Sequence, residues 1–267
     1  YQVPVSCGSY EKLLADESLD VLYLPLPNHL HYSFTKRALE AGKHVILEKP
    51  FTVTYAEAKE LAELAEAKNL ILFEAITNQY NPNYEKVREL LPKVGDVKIV
   101  QLNYSQYSSR YDAFKHGIVA PVFDAEKAGG ALMDLNVYNI HFVTGLFGEP
   151  KAVHYYPNME RGVDTSSFQC VCIAAKDCGA PLSVNIEGDK GCIFSHSNAG
   201  RFEEFSFQEN KKESEHFSLI QEDGPIFYDE LRAFTDYWVK DDREAFRQRL
   251  AQSLVVMKVL DQARGIK

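Results

Sequence analysis

The stretch Ala41-Gly42-Lys43-His44-Val45-Ile46-Leu47-Glu48-Lys49-Pro50 decides the fold, because it passes from a helix end through a short apolar strand into a loop that carries a lysine. Gly42 stands where a helix ending near Ala41 needs a left-handed C-cap residue. Two more apolar runs, Asp20 to Pro25 and Leu70 to Glu74, flank His44 to Glu48, with helical patterns between them. Thr54 and Glu57 form a capping box for the helix that carries Leu61, Leu64 and Ala65. Strands joined by crossovers of this length are expected to be parallel. Lys49 then lies beyond the C-terminal end of a strand in an open α/β sheet, where such sheets bind ligands.

Beyond Ile76 the pattern changes. Asn81 to Leu91 reads as a helix and Val97 to Tyr107 as a strand. Further β-rich runs follow at Ala152 to Tyr156, Ser166 to Ala175, Leu182 to Glu187, Cys192 to His196 and Glu203 to Gln208. They predict a large, mostly antiparallel sheet. Helical patterns at Tyr228 to Val239 and Ala245 to Ala263 close the chain. The fold class is therefore α/β: a partial Rossmann-type parallel sheet, followed by an α+β domain with a large open sheet. A short hinge is expected near Ile76 to Pro82.

At 267 residues, 45% hydrophobic and 25% charged, the composition is that of a globular protein larger than a single core usually supports. No uninterrupted apolar run approaches the length of a membrane span. A net charge of -9 argues against nucleic acid or an anionic membrane as the partner. Cys7, Cys170, Cys172, Cys178 and Cys192 form no C-x-x-C pair, and their odd number fits free thiols in a reducing compartment, the cytoplasm.

Three segments carry a family resemblance: Pro27-Asn28-His29-Leu30-His31, then Ala38 to His44, then Glu48-Lys49-Pro50. About eighty residues on comes Gly129-Gly130-Ala131-Leu132-Met133-Asp134-Leu135-Asn136-Val137-Tyr138. In this order and spacing they resemble the Gfo/Idh/MocA oxidoreductases, the group of glucose-fructose oxidoreductase and inositol dehydrogenase. The resemblance implies a nucleotide domain over residues 1–76. It also implies a C-terminal α/β domain over 77–267 that binds substrate and supports a homodimer or homotetramer, with the last helix packing back on the first domain. A glycine-rich G-x-G-x-x-G turn is expected in such a domain and is absent among the fifteen glycines. The chain reads as lacking roughly the first fifty residues of a family member, those that hold the pyrophosphate turn and the residue that selects NAD or NADP.

Moving a hydride to or from a nicotinamide also requires a group that moves the hydroxyl proton. Lys49 and Tyr138 are the expected pair. A phenol is a poor base near neutral pH, and an adjacent ammonium favours its ionised form. The competing readings are a solvated loop lysine and an ordinary half-buried aromatic. At 100° per residue Asp134, Tyr138 and His141 fall on one helix face, opposite Leu132, Leu135, Val143 and Leu146. Position in the family motif makes Tyr138 the proton-transfer residue and Asp134 a catalytic partner that orients substrate or donor. Asn136, Asn139, His141 and Gln79 are expected to contact substrate. Asn136 stands where many relatives have Gly, and Gln79 where many have Arg. The resemblance places Leu26, Pro27, Asn28 and His31 beside the nicotinamide, with Glu48 and Lys49, and implies a cis Lys49–Pro50 bond. His29-x-His31 could also be read as a metal pair, but no Cys or carboxylate cluster accompanies it, so no metal is expected.

The expected activity is an NAD(P)-dependent oxidoreductase acting on a secondary hydroxyl or ketone of a sugar or polyol. The alternative is a catalytically silent relative that senses a nucleotide or sugar and binds a partner. A metal-dependent sugar isomerase or hydrolase is a third class without a ligand set. The run Tyr104, Tyr107, Tyr111 marks either a buried sheet face or a subunit contact.

Overall fold

The computed structural model describes residues 6–167, 172–220, 225 and 227–266. A short helix α1 (Tyr10–Ala15) precedes β1 (Val21–Leu24), α2 (His31–Glu40), β2 (His44–Glu48), α3 (Tyr55–Ala67) and β3 (Leu72–Ala75). The three strands lie in the order β1-β2-β3 and are parallel, with Val21 beside His44 and Val45 beside Leu72. Gly42 ends α2 with φ 79°, and the Thr54–Glu57 capping box opens α3. Lys43, in the same motif, donates to the carbonyls of Asp16 and Leu19 at 2.6 and 2.9 Å and so ties the end of α1 to β2.

Both faces of this small sheet are covered, which explains its continuous apolar runs. Val45 and Leu47 point into a core with Leu39, Leu61, Val256 and Leu260, whereas Ile46 joins Phe73, Phe234 and Phe246 on the other face. The residues of that second core come partly from α7 (Tyr228–Val239) and α8 (Arg243–Arg264), the last two helices. Between the small sheet and these helices run α4 (Pro82–Val94), β4 (Val97–Ser105), α5 (Tyr111–Lys115) and α6 (Val137–Phe147). The remaining strands are β5 (Pro157–Glu160), β6 (Val163–Ser167), β7 (Cys172–Ala175), β8 (Ser183–Gly188), β9 (Gly191–Ser195), β10 (Phe205–Glu209) and β11 (Ser214–Phe217).

With β4 they form an eight-stranded sheet in the order β11-β10-β9-β8-β4-β7-β6-β5. All neighbours are antiparallel except β4 and β7, where Leu102 pairs with Cys172 in parallel. α4 and α6 cover one face through Tyr84, Val87 and Phe142 against Leu102, Val184, Ile186, Ile193 and Phe207.

The sequence pattern misplaces two strands. Residues 152–156 form no strand; the ladder begins at Pro157, and Tyr155 instead packs on the first core and donates its hydroxyl to Asp164 at 2.8 Å. The run expected from Ser166 to Ala175 is two strands that pair with each other, with residues 168–171 outside the described part. β11 was not anticipated, because Ser214–Phe217 is exposed on most of its length and carries little apolar signal. Cys7, Cys178 and Cys192 carry free thiols; Cys170 lies outside the described residues. Among those described, no helix is long and apolar enough to cross a membrane.

Candidate active site

Lys49 follows β2 directly, and its bond to Pro50 is cis. Its ammonium donates to the Asp134 backbone carbonyl at 2.8 Å and to Asp134 Oδ1 at 3.0 Å, and sits 4.8 Å from the centroid of the Tyr138 ring. Lys49, Asp134 and Tyr138, remote in the chain, thus meet at the strand ends of the small sheet.

Asp134 lies in a π-helical turn, Leu132–Asn136, that leads into α6. The two preceding glycines make room for it. A Cβ on Gly129 would come within 2.6 Å of the Pro121 carbonyl, and one on Gly130, at φ 118°, would overlap Asp164. Asp164 in turn accepts from the Leu132 N–H at 2.7 Å and holds the start of the turn. Asp134 Oδ2 accepts from Lys176 at 2.5 Å, so the carboxylate lies between two ammonium groups. Lys176 was not anticipated. The available signal was the one that marked Lys49: a lysine just past an apolar strand, here Cys172–Ala175.

Tyr138 packs beside Tyr104, ring centroids 5.9 Å apart, and against Gly200, where a Cβ would come within 3.0 Å of its ring. Asn78 donates to the Tyr138 carbonyl at 2.8 Å. Burial pushes the Tyr138 phenol up to about 12; Lys49 pulls it down, while Tyr104, Glu48 and Asp134 push it further up. Lys49 thus acts on the phenol in the expected direction, favouring its ionised form, but burial outweighs the ammonium. Asp134 moves the opposite way. Burial would raise it, but Lys49 and Lys176 together bring it down to about 2. Burial also opposes the charge on Lys49, yet Tyr138, Asp134 and Glu48 around it hold its pKa above the ordinary lysine value.

The four residues expected to contact substrate are instead buried and engaged with the protein. Asn136 donates to the Cys172 carbonyl at 3.1 Å and accepts from Asn139 at 2.9 Å, while Asn139 also donates to the Ile173 carbonyl at 2.9 Å. The pair pins the helix to β7. Gln79 donates to the His141 carbonyl at 2.9 Å. His141 is fully buried with its Nε2 3.3 Å from Glu74 on β3. Asp134 and Tyr138 meet around Lys49, but His141 does not join them: it is buried towards Glu74 on β3.

Of the residues expected beside the nicotinamide, His31 is also a correction. It is fully buried, with Nδ1 2.8 Å from the Pro50 carbonyl and Nε2 2.7 Å from the Leu26 carbonyl. It clamps the loop after β1 to the loop after β2. Asn28 donates to the Ala128 carbonyl at 2.8 Å and ties the first loop to the segment before the π turn. Leu26 and Pro27 are left at the strand-end crevice with Glu48 and Lys49. Glu48 accepts from the Tyr23 hydroxyl and from the Lys49 N–H. Its carboxylate is the chemistry a ribose hydroxyl requires, and Leu26 and Pro27 give an apolar flank, so this set fits the nicotinamide end of NAD(P). Behind it Glu230, on α7, is 3% exposed with Oε2 lacking a hydrogen-bond partner. Burial, then Glu48 and Glu74, push its carboxyl up to about 8. Among the described residues no group of three or more His, Cys, Asp or Glu is arranged to hold a metal ion.

The parallel sheet thus carries a lysine at its strand ends, facing a helix with an aspartate and a tyrosine. Residues 1–76 match the model of an oxidoreductase family with an NAD-binding Rossmann fold. The chain is 29% identical over 265 residues to scyllo-inositol 2-dehydrogenase (NADP(+)) of Bacillus subtilis, a match covering 95% of this chain and 80% of that one. It is 41% identical over 140 residues to D-xylose 1-dehydrogenase (NADP(+)) of Hypocrea jecorina, covering 51% of this chain and 36% of that protein. Among solved structures, a 3-ketoreductase from Actinomadura kijaniata in complex with NADP superposes with a TM-score of 0.80 at 23% identity, covering 96% of this chain and 81% of that one. Over residues 1–76 the match is to the Gfo/Idh/MocA family model, and the relatives similar over the remaining length are oxidoreductases.

Proposed function

We propose that this protein is an NAD(P)-dependent dehydrogenase or reductase for a secondary hydroxyl or ketone of a sugar or polyol, with Lys49, Asp134 and Tyr138 as its reacting set. The observation that carries this reading is the Lys49 ammonium lying between the Asp134 carboxylate and the Tyr138 ring at the ends of parallel strands. The similarity to a scyllo-inositol 2-dehydrogenase and a D-xylose 1-dehydrogenase supports the substrate class.

NAD(P), when bound, supplies or accepts the hydride. Leu26, Pro27 and Glu48 would hold its nicotinamide end. Lys49 donates to the substrate oxygen and stabilises negative charge there, with Asp134 fixing its direction. The phenolic oxygen of Tyr138 exchanges the hydroxyl proton; with its pKa up to about 12 it carries that proton at neutral pH and is set to give it to a ketone oxygen. In this reading residues 1–76 bind the cofactor and 77–267 the substrate. The same reading includes a cytoplasmic location and a homodimer or homotetramer built on the large sheet, which sedimentation measures directly.

The test is turnover of a panel of polyols and aldoses, scyllo-inositol and D-xylose among them, with NADP+ and NAD+. Lys49→Ala should lower kcat by at least ~10²-fold with the fold intact, the scale of losing an acid–base partner. Near-full turnover by that variant removes Lys49 from the mechanism.

A further inference from the structure

Lys176 is 2% exposed, and lysines are rarely buried so completely without a partner. Its partner is Asp134 Oδ2 at 2.5 Å, although Oδ1 of the same carboxylate already accepts from Lys49 at 3.0 Å. Two ammonium groups therefore flank one carboxylate, and a single positive charge is left over. The surroundings hold Lys176 in place. It follows β7, its N–H donates to the Thr165 carbonyl at 2.8 Å, and its ammonium lies 4.8 Å from the centroid of the Phe123 ring.

A lone Lys49–Asp134 pair would be neutral. It would give little field at the phenol, and the carboxylate would be free to close on Lys49 with both oxygens. We propose that Lys176 is a positioning residue for the reaction at Lys49 and Tyr138: it holds Oδ2 of Asp134 and offsets that carboxylate's charge, so that Asp134 does not cancel the Lys49 ammonium facing the substrate oxygen and the phenol. This rests on the function proposed above.

The charged and titratable groups facing Lys176 are Asp134, Lys49 and Arg110, with Asp164 within its field. Those facing Tyr138 are Lys49, Tyr104, Glu48 and Asp134. Burial lowers the pKa of Lys176 and Asp134 raises it. Keeping a charged lysine here has an electrostatic cost that packing alone would not require.

The experiment is the pH dependence of kcat for polyol or aldose oxidation with NADP+, from pH 6 to 11, for the full chain and for Lys176→Met, Lys176→Gln, Lys176→Arg and Lys49→Ala. Loss of the positive charge should displace the rising limb up by about one pH unit, read as a kcat about tenfold lower at each pH along the limb. Lys176→Gln, which keeps a donor to Oδ2 without the charge, should show the same displacement and serves alone if Lys176→Met does not fold. Lys176→Arg should restore the limb and bring kcat to within about threefold of the parent. A limb that stays in place in the uncharged variants, while Lys49→Ala abolishes turnover, overturns this proposal and leaves the function standing. No turnover by the parent with any polyol or aldose overturns the function, and this proposal with it.

Discussion

Replacing Glu230 with Gln should stabilise the protein, increasingly as the pH rises. The carboxyl is buried on α7, one oxygen lacks a partner, and its pKa is pushed from 4.5 up to about 8. Between those values an unfolded chain releases a proton that the folded chain keeps. The folded state binds more protons there, so stability falls as pH rises; the penalty is absent below the unfolded value and complete above the folded one. At about 1.4 kcal/mol per pH unit it reaches roughly 3 kcal/mol at pH 7 and on the order of 5 kcal/mol above pH 8. Gln has nearly the same shape and no charge to bury, and the contacts it loses are worth about 1 kcal/mol. Glu230→Gln should therefore gain about 2–4 kcal/mol at pH 8.5 and lie within about 1 kcal/mol of the parent at pH 5, with a rise in Tm of roughly 5–12 °C at the higher pH. Urea denaturation followed by the fluorescence of Trp238 reports on this, since the single tryptophan lies on α7 and stacks on Phe234. A variant no more stable than the parent at pH 8.5, or a difference that does not grow with pH, would refute the reasoning.

Other substitutions test other parts of the site. Tyr138→Phe should lower kcat by ~10²–10⁴-fold while leaving Tm within about 2 °C, because the ring packing survives and only the proton-bearing oxygen is lost; steady-state kinetics beside a thermal melt separate the two. His31→Ala leaves the Leu26 and Pro50 carbonyls without their ring partner and opens a cavity, so a loss of about 3 kcal/mol is expected in denaturant titration. Gly130→Ala puts a methyl group where Asp164 lies, at a φ that L-residues avoid, and should destabilise by about 3 kcal/mol or more; soluble expression at parental yield and Tm would contradict it.

Much of the small sheet was legible because its signals are local. Gly42, the Thr54 capping box and three apolar runs fix helix ends and strands without reference to the rest of the molecule. Lys49, Asp134 and Tyr138 were legible through motif order, and the structure brings all three together. The other polar residues of the second motif were not, because their roles depend on which strands pack against the helix that carries them. Asn136 and Asn139 reach the carbonyls of β7 and His141 reaches Glu74, which no 3.6-residue periodicity foresees. Lys176 was missed for a different reason. A lysine after a strand acquires its meaning only from the strand's neighbour, and the pairing of β7 with β4 joins segments far apart in the chain.

That pairing bears on how the molecule is assembled. β4 and β7 are parallel neighbours, so everything between them, including the helix that carries Tyr138, is their crossover connection. A contact between segments so far apart forms late, since a long loop must close before the ladder rewards it. Lys176 reaches Asp134 only after that closure. The small sheet has short-range crossovers, but its two cores are closed by Val256, Leu260, Phe234 and Phe246 from the end of the chain, so both halves of the site depend on contacts between distant segments.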